Sequence, residues 1–322
     1  MKVWRVFAIL AAFLLAALSG LSIFACPPLE KDSGNGITVV ASIFPVYDFS
    51  RTIAGPNATV EMLLTPGTEP HSFEPTPRDI VKIKNASIFI YNGEDMEPWV
   101  EEVLAGISGG EDGGSPLVID SSKGIFQLPV DQEKGKREGE KTRHGAYDPH
   151  IWLDFDNAKI QIDNILAGFM AKDPAHGELY AERAKKLKLE IDDLDARYRS
   201  GLSYCEKTVA ISAGHAAFGY LAHRYGFEYR AVYGIAPNAE PSPSEVIAVI
   251  ETIKRYGVRY VLAEALINPK MAQTIRGETG VEILYINPGG NVSREDYKAG
   301  ITYTMLMKDN LEKIEKALEC LK

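Results

Sequence analysis

The sequence predicts an α/β fold of two similar lobes with mainly parallel sheets, joined by one long helix and facing each other across a ligand cleft. Three observations predict it. Apolar runs rich in β-branched residues alternate with helical patterns early in the chain, a long helical segment follows, and the alternation then returns. In addition, 322 residues are too many for one typical core and favour two units of ordinary size.

The first lobe alternates between strands and helices. Gly55 ends the first predicted helix, Pro77 lies in the first turn of the second, and a glycine-rich stretch at 108–115 follows the third. We predict strands at 37–44, 58–64, 87–93 and 116–120, with helices at 47–55, 77–86 and 96–107.

The middle of the chain is helical from about Asn157 to Ser200, and Asp173-Pro174 divides it into two segments. In the second segment, 175–200, buried-type side chains recur at steps of four and three residues, at Tyr180, Ala184, Leu187, Ile191, Leu194 and Tyr198. Such a helix would be roughly 35–40 Å long, which is enough to connect two lobes rigidly.

The second lobe repeats the alternation of the first. We predict strands at 207–213, 227–233, 258–264 and 282–287. The predicted helices are 217–226, 243–257, 269–280 and a long final helix from about Glu295 to Cys320.

The N-terminus is typical of an export signal. Lys2 and Arg5 precede an apolar run at 6–25, and Cys26 follows it. Cleavage before Cys26 would leave a lipid-carrying cysteine, as in a lipoprotein; alternatively the run, which is near the length that spans a bilayer, stays as an anchor. Both alternatives place the protein on the outer face of the cytoplasmic membrane, or in the periplasm.

These patterns divide the chain into five parts. We expect a signal at 1–26, a flexible tether at 27–36, a first lobe at 37–172 with a charged loop at 131–147, a linker helix at 173–201, and a second lobe at 202–322.

Composition and cysteine content restrict the function further. With 45% hydrophobic and 25% charged residues the chain is typical of globular proteins, and a net charge of −9 without a basic face argues against nucleic acid as a partner. If Cys26 carries lipid, Cys205 and Cys320 remain. In an exported protein these two cysteines suggest a disulfide, although two separate buried thiols also fit.

Three of the six histidines lie where ligands bind in open α/β sheets, beyond the carboxyl ends of strands or at the end of a loop. His71 follows the second predicted strand, His150 follows the charged loop, and His215 follows the fifth strand. Imidazole nitrogens suit zinc and other borderline divalent metals. The sequence therefore predicts a metal site that joins both lobes.

The motifs 66-PGTEPHSFEPTP-77, 148-DPHIWLD-154, 213-AGHAAFGYLAHRYG-226 and 240-EPSP-243 together resemble the metal-binding solute-binding lipoproteins of zinc and manganese ABC importers. The resemblance extends from about Ile37 to Leu321. It implies a monomer that holds one metal through His71, His150 and His215 and delivers it to a membrane permease. Histidine at the third position is typical of the zinc type, so the resemblance implies Zn²⁺, with Mn²⁺ as the alternative.

One position departs from the family pattern. The family often supplies a fourth ligand from an Asp-Pro pair, and here the pair is 287-NP-288. The fourth ligand is therefore a water, Asn287, or a carboxylate such as Glu264. With no carboxylate ligand, we expect the site to keep the ion's full double positive charge and to bind it more weakly.

Two other functions are consistent with three histidines. A catalytic zinc also uses three protein ligands and an open position, with Glu264 or Glu69 as a general base, although the sequence has no HExxH helix or nucleophile elbow. An adhesin or scaffold would use the metal structurally and would unfold without it. For a receptor we expect only slight movement of the lobes on binding, because one long helix lacks several loop hinges.

Overall fold

Two four-stranded parallel sheets organise the chain in the computed structural model, which describes residues 36–93, 95–108, 115–130, 146–237 and 241–321. This confirms the predicted α/β class with two similar lobes. The predicted signal, Cys26, nearly all of the tether and most of the charged loop lie outside the described residues. Within those residues, no helix has the length and apolar composition needed to cross a bilayer.

The first sheet has the order β2-β1-β3-β4. Its elements are β1 (Ile37–Ala41), α1 (Phe44–Ala54), β2 (Ala58–Met62), α2 (Pro77–Asn85), β3 (Ile88–Tyr91), α3 (Val100–Ile107) and β4 (Leu117–Asp120). The first strand is shorter than predicted because α1 begins at Phe44, where Pro45 supplies a backbone angle suited to a first helical turn. Thr76 and Asp79 form a capping box that begins α2.

Two helices follow the first sheet, α4 (Phe155–Lys172) and α5 (Gly177–Gly201), with a short 3₁₀ turn at Pro174–His176 between them. The 25 residues of α5 give a length of about 37 Å. All six apolar positions that the spacing predicted are buried: Tyr180, Ala184, Leu187, Ile191, Leu194 and Tyr198.

The second sheet has the equivalent order β6-β5-β7-β8. Its elements are β5 (Val209–Ser212), α6 (Gly219–Tyr225), β6 (Glu228–Ala231), α7 (Pro243–Tyr256), β7 (Tyr260–Glu264), α8 (Lys270–Thr279) and β8 (Glu282–Ile286).

The prediction of one long final helix is wrong, because the structure has two helices there, α9 (Arg294–Ala299) and α10 (Tyr303–Ala317). Gly300 ends the first with a left-handed φ of 74°. Thr302 then begins the second, since its side chain accepts a hydrogen bond from the Met305 N–H. Beyond α10, a disulfide joins Cys205 to Cys320 at the base of the second lobe.

The largest apolar core is shared by the two lobes. It combines residues of both sheets with buried side chains of α1, α4, α5 and α10. Two smaller cores lie on the outer sides, one between the first sheet and α2 and α3, the other between the second sheet and α7 and α8. The lobes are therefore packed together through a common interior rather than linked only by a connector.

Partly buried ion pairs reinforce the contact on one side. The Arg224 guanidinium donates two hydrogen bonds of 2.9 Å to Asp195 on α5 and one of 3.1 Å to Asp154, which begins α4. Burial opposes ionisation of Asp195, but hydrogen bonds from Arg224 and Tyr225 lower its pKa to about 2. These bonds join α6 of the second lobe to α5 and to the start of α4.

A second set of polar contacts lies at the start of α10. Asp48 on α1 is buried, and its carboxylate accepts a hydrogen bond of 2.7 Å from the Tyr303 N–H. Arg51 pairs with Asp48 and donates to the Ile301 carbonyl oxygen. These bonds satisfy an otherwise unpaired amide at the first turn of α10 and tie it to the first lobe.

Candidate metal centre

The structure brings His71, His150 and His215 together between the lobes. His71 lies in a 3₁₀ turn on the loop that follows β2, and it is partly exposed. His150 is 1% exposed and precedes the turn at Ile151–Leu153, while His215 is 3% exposed and lies just beyond β5. Among the described residues, they are the only three potential ligands of the His, Cys, Asp and Glu types whose donor atoms all lie within 4.8 Å of one another.

The two buried histidines are oriented in the same way, each by one carboxylate oxygen. Asp148 Oδ1 accepts hydrogen bonds from the His150 backbone N–H at 2.9 Å and from its Nδ1 at 2.7 Å. Glu264 Oε1 does the same for His215, at 2.7 Å for both. Each carboxylate accepts a hydrogen bond from a proton carried on Nδ1, which in the neutral ring leaves the lone pair on Nε2, the nitrogen that would bind a metal.

Gly214 is required by this arrangement. A Cβ at this position would lie 2.1 Å from Glu264 Oε1, which no side chain could tolerate without displacing the carboxylate. The glycine therefore allows the end of β7 to approach the backbone that precedes His215.

The Nε2 atoms converge on one point. The Nε2–Nε2 distance is 3.1 Å between His71 and His150, and 3.0 Å between His150 and His215. Two Zn–N bonds of about 2.0–2.1 Å at the tetrahedral angle place their nitrogens roughly 3.3–3.4 Å apart. The observed separations are a few tenths of an ångström shorter, so a zinc ion fits with a small outward shift of the rings. Three imidazoles suit zinc better than manganese, which prefers oxygen ligands.

The surroundings of the three rings are rich in buried acids. Burial raises the pKa of Asp148 to about 7, although the hydrogen bond from the His150 amide opposes this change. Burial also raises the pKa of Glu69. For His215, burial disfavours the charged form, but the neighbouring Glu264 outweighs it and raises the pKa. The acids near His215 thus favour positive charge on its ring.

Two carboxyl groups lie directly behind two of the histidine rings, Asp148 behind His150 and Glu264 behind His215. Negative charge on either group would lie one imidazole away from a bound ion. The expectation that the ion keeps its full double positive charge and binds more weakly stays a prediction. Asp148 was not among the predicted site residues, although it lies only two residues before His150 in the sequence.

Both protein candidates for the fourth ligand make other contacts, and Glu264 is not in the converging group. Glu264 is placed on the Nδ1 side of the His215 ring, as its orienting partner. Asn287 borders the same cavity, but its Oδ1 accepts the Gly289 N–H at 2.8 Å and its Nδ2 donates to the Asn291 carbonyl at 3.1 Å. The cavity has a volume of about 20 Å³, which corresponds to about one water-sized group.

A two-lobed α/β fold with three imidazoles converging between its lobes defines a metal-binding protein of the bilobal type. Over residues 39–317 the chain matches the family described as zinc-uptake complex component A, periplasmic, and it belongs to that family.

Individual relatives agree with this assignment. The chain is 33% identical to the high-affinity zinc uptake system protein ZnuA of Bacillus subtilis, over 98% of both chains. It is 32% identical to the zinc-binding lipoprotein AdcA of Streptococcus pneumoniae, where the match covers 96% of this chain but only 61% of the relative.

Solved structures give the same result. The Zn(II)-bound ZnuA-like domain of S. pneumoniae AdcA is similar with a TM-score of 0.74 and 31% identity, covering 88% of this chain and 99% of that domain. The laminin-binding protein Lmb of Streptococcus agalactiae, described as having adhesin and metal-transporting activity, is similar with a TM-score of 0.75 and 28% identity, covering 88% of this chain and all of that chain.

Proposed function

We propose that this protein captures Zn²⁺ outside the cytoplasm through the Nε2 atoms of His71, His150 and His215 and delivers it to an ABC-type importer. The observation that carries the proposal is the convergence of the Nε2 atoms, with Nδ1 of two rings held by buried carboxylates. Lone pairs aimed at one point repel each other unless a proton or a cation lies between them. A dication with an affinity for imidazole is the ligand that this arrangement suits.

The shared core supports a receptor whose lobes move little. A large hinge motion would separate apolar side chains that the two lobes share in one core. It would also break the contacts of Arg224 and Asp48 across the lobes. Release of the metal then depends on local changes near the three rings rather than on opening of the whole cleft. Small-angle scattering with and without zinc checks this, and a large compaction on adding zinc would contradict it.

The partner and location follow from the same proposal. A membrane permease receives the ion, and Cys26 or the preceding apolar run tethers a monomer to the outer face of the cytoplasmic membrane. The parts of this receptor are the lobes at 37–172 and 202–322 and the linker at 173–201.

Zinc binding is the direct test. We expect purified protein to bind about one Zn²⁺ in competition with a chromophoric chelator. His150→Ala should weaken binding by more than about 100-fold, beyond the 10–100-fold typical of changes around a metal ligand. His223→Ala is the matched control, because that histidine is exposed and stacks on Phe126 away from the centre. Wild-type protein that binds no zinc would refute the proposal.

A zinc hydrolase is the second candidate, and the contacts of the nearby carboxylates argue against it. The carboxylates near the rings are engaged as hydrogen-bond acceptors of the histidines rather than aimed at a substrate. Turnover of ester or peptide substrates by the zinc-loaded protein, lost in His150→Ala, would favour the enzyme instead.

An adhesin or scaffold with a structural metal makes a different prediction about stability. The core that the two lobes share is formed by apolar side chains of many helices and strands. Removing zinc with a chelator should therefore lower the melting temperature by only a few degrees, since a ligand at 100 times its Kd stabilises by about 2.7 kcal/mol. Loss of the folded circular dichroism spectrum on chelation would support the structural role.

A further inference from the structure

The turn at residues 287–292, which follows β8, links the second lobe to the loop that carries His71. Asn291 on this turn is 2% exposed. Its Nδ2 donates two hydrogen bonds, one of 2.8 Å to the Thr65 carbonyl and one of 2.7 Å to the Thr68 carbonyl. A second-lobe side chain therefore holds the first-lobe loop that leads to a metal histidine.

Main-chain bonds add to this contact. The Gly67 N–H donates to the Val292 carbonyl at 2.8 Å, in the same loop. Trp152 lies two residues beyond His150, and its Nε1 donates to the Pro288 carbonyl at 2.7 Å. The turn thus contacts the segments of both first-lobe histidines.

Asn287 and Asn310 keep the turn in shape. Asn287 Nδ2 donates to the Asn291 carbonyl, a bond that an aspartate could not make. Asn310 is fully buried, and its side chain binds the Asn287 backbone on both sides, at the N–H and at the carbonyl. The side-chain amide of Asn287 thus stabilises the turn.

We propose that Asn291 is a positioning residue for metal binding, which fixes the His71 loop from the opposite lobe so that the three Nε2 atoms meet. This rests on the proposed function. His150 and His215 are buried and are oriented by carboxylates, whereas His71 lies on an irregular, partly exposed loop. Metal ligands must be held to within about 0.5 Å, so a loop ligand requires such support. Asn291 supplies it through two bonds that cross between the lobes.

The test compares Asn291→Ala with Asn164→Ala. Asn164 is a matched control because its Nδ2 also donates two hydrogen bonds to backbone carbonyls, those of Ser121 and Lys123 at 2.9 Å each, within the first lobe. Three quantities are measured: zinc affinity by chelator competition, the visible absorption of bound Co²⁺, and unfolding in urea without metal.

Both variants should unfold at lower urea concentration, because each loses two hydrogen bonds. Only Asn291→Ala should also weaken zinc binding, by about tenfold, and change the intensity of the Co²⁺ bands, which report ligand geometry. If wild-type protein binds no zinc, the proposed function itself fails. If the wild type binds zinc and folded Asn291→Ala matches it in affinity and spectrum, the positioning role alone is overturned.

Asn291→Ser gives the same comparison should the alanine variant not fold. It keeps one hydroxyl donor and should show a smaller loss of zinc affinity in the same direction. Wild-type affinity in this variant would also overturn the proposal.

Discussion

Replacing Glu264 by glutamine tests whether the carboxylate behind His215 contributes to metal binding. Glutamine keeps an oxygen acceptor for the His215 N–H and Nδ1–H but removes the negative charge. The carboxylate oxygen lies 2.7 Å from Nδ1, and the ring and a Zn–N bond of about 2.0–2.1 Å place it roughly 6–7 Å from the ion.

The magnitude follows from this distance. One negative charge at about 6.5 Å from a dication contributes about 1 kcal/mol at a dielectric constant of 80 and about 5 kcal/mol at 20. Mutating a residue that hydrogen-bonds a metal ligand typically lowers metal affinity 10–100-fold. This corresponds to about 1.4–2.7 kcal/mol, which lies between the two electrostatic values. We therefore expect Glu264→Gln to weaken zinc binding by about 10–100-fold at pH 7.

The assay is chelator competition on purified protein, with the folded state checked by circular dichroism. Glu278→Gln, an exposed change of the same chemistry on α8, is the control and should bind zinc as the wild type does. Equal affinity of folded Glu264→Gln and wild type would show that the carboxylate orients the ring without contributing charge, and the electrostatic reasoning would be wrong.

Three further predictions concern stability and local packing. The folded pKa of Asp195 is lowered from 3.8 to about 2, so this carboxylate contributes about 2 kcal/mol to the free energy of unfolding above pH 3.8, and the contribution is lost as the pH falls towards 2. Urea unfolding should show a smaller fall in stability over this pH interval in Asp195→Asn than in the wild type. Reducing the bond between Cys205 and Cys320, which are 115 residues apart in sequence, should lower the free energy of unfolding by about 4–5 kcal/mol, measured in urea with and without reductant, while zinc affinity stays unchanged. Gly214→Ala should displace the carboxylate of Glu264 and weaken zinc binding by at least about tenfold in chelator competition; wild-type affinity would mean that the backbone moves instead.

The fold and the convergence of the three histidines were predictable because local patterns determine them. Alternation of strands and helices specifies parallel sheets, and residues just beyond the carboxyl ends of parallel strands gather at one edge. That reasoning identified His71 and His215 directly and included His150 through the loop that precedes α4.

The orienting and positioning residues were not predictable in the same way. Glu264 was recognised at the end of β7, but a sequence does not tell whether a carboxylate reaches the Nε2 or the Nδ1 side of a ring. Asn291 gave no signal, since its partners are carbonyl groups more than 220 residues earlier in the chain, which every residue type possesses. The break between α9 and α10 was missed because the apolar spacing continues past Gly300.

The common interior of the two lobes also determines how the chain can be divided. A fragment ending after α5 would lack the side chains that α10 and the second sheet contribute to the shared core. We therefore expect neither half to fold alone, and denaturation should proceed as one cooperative transition for both sheets. The sheet order is repeated in the two lobes, but we expect the smallest stable unit to contain both lobes.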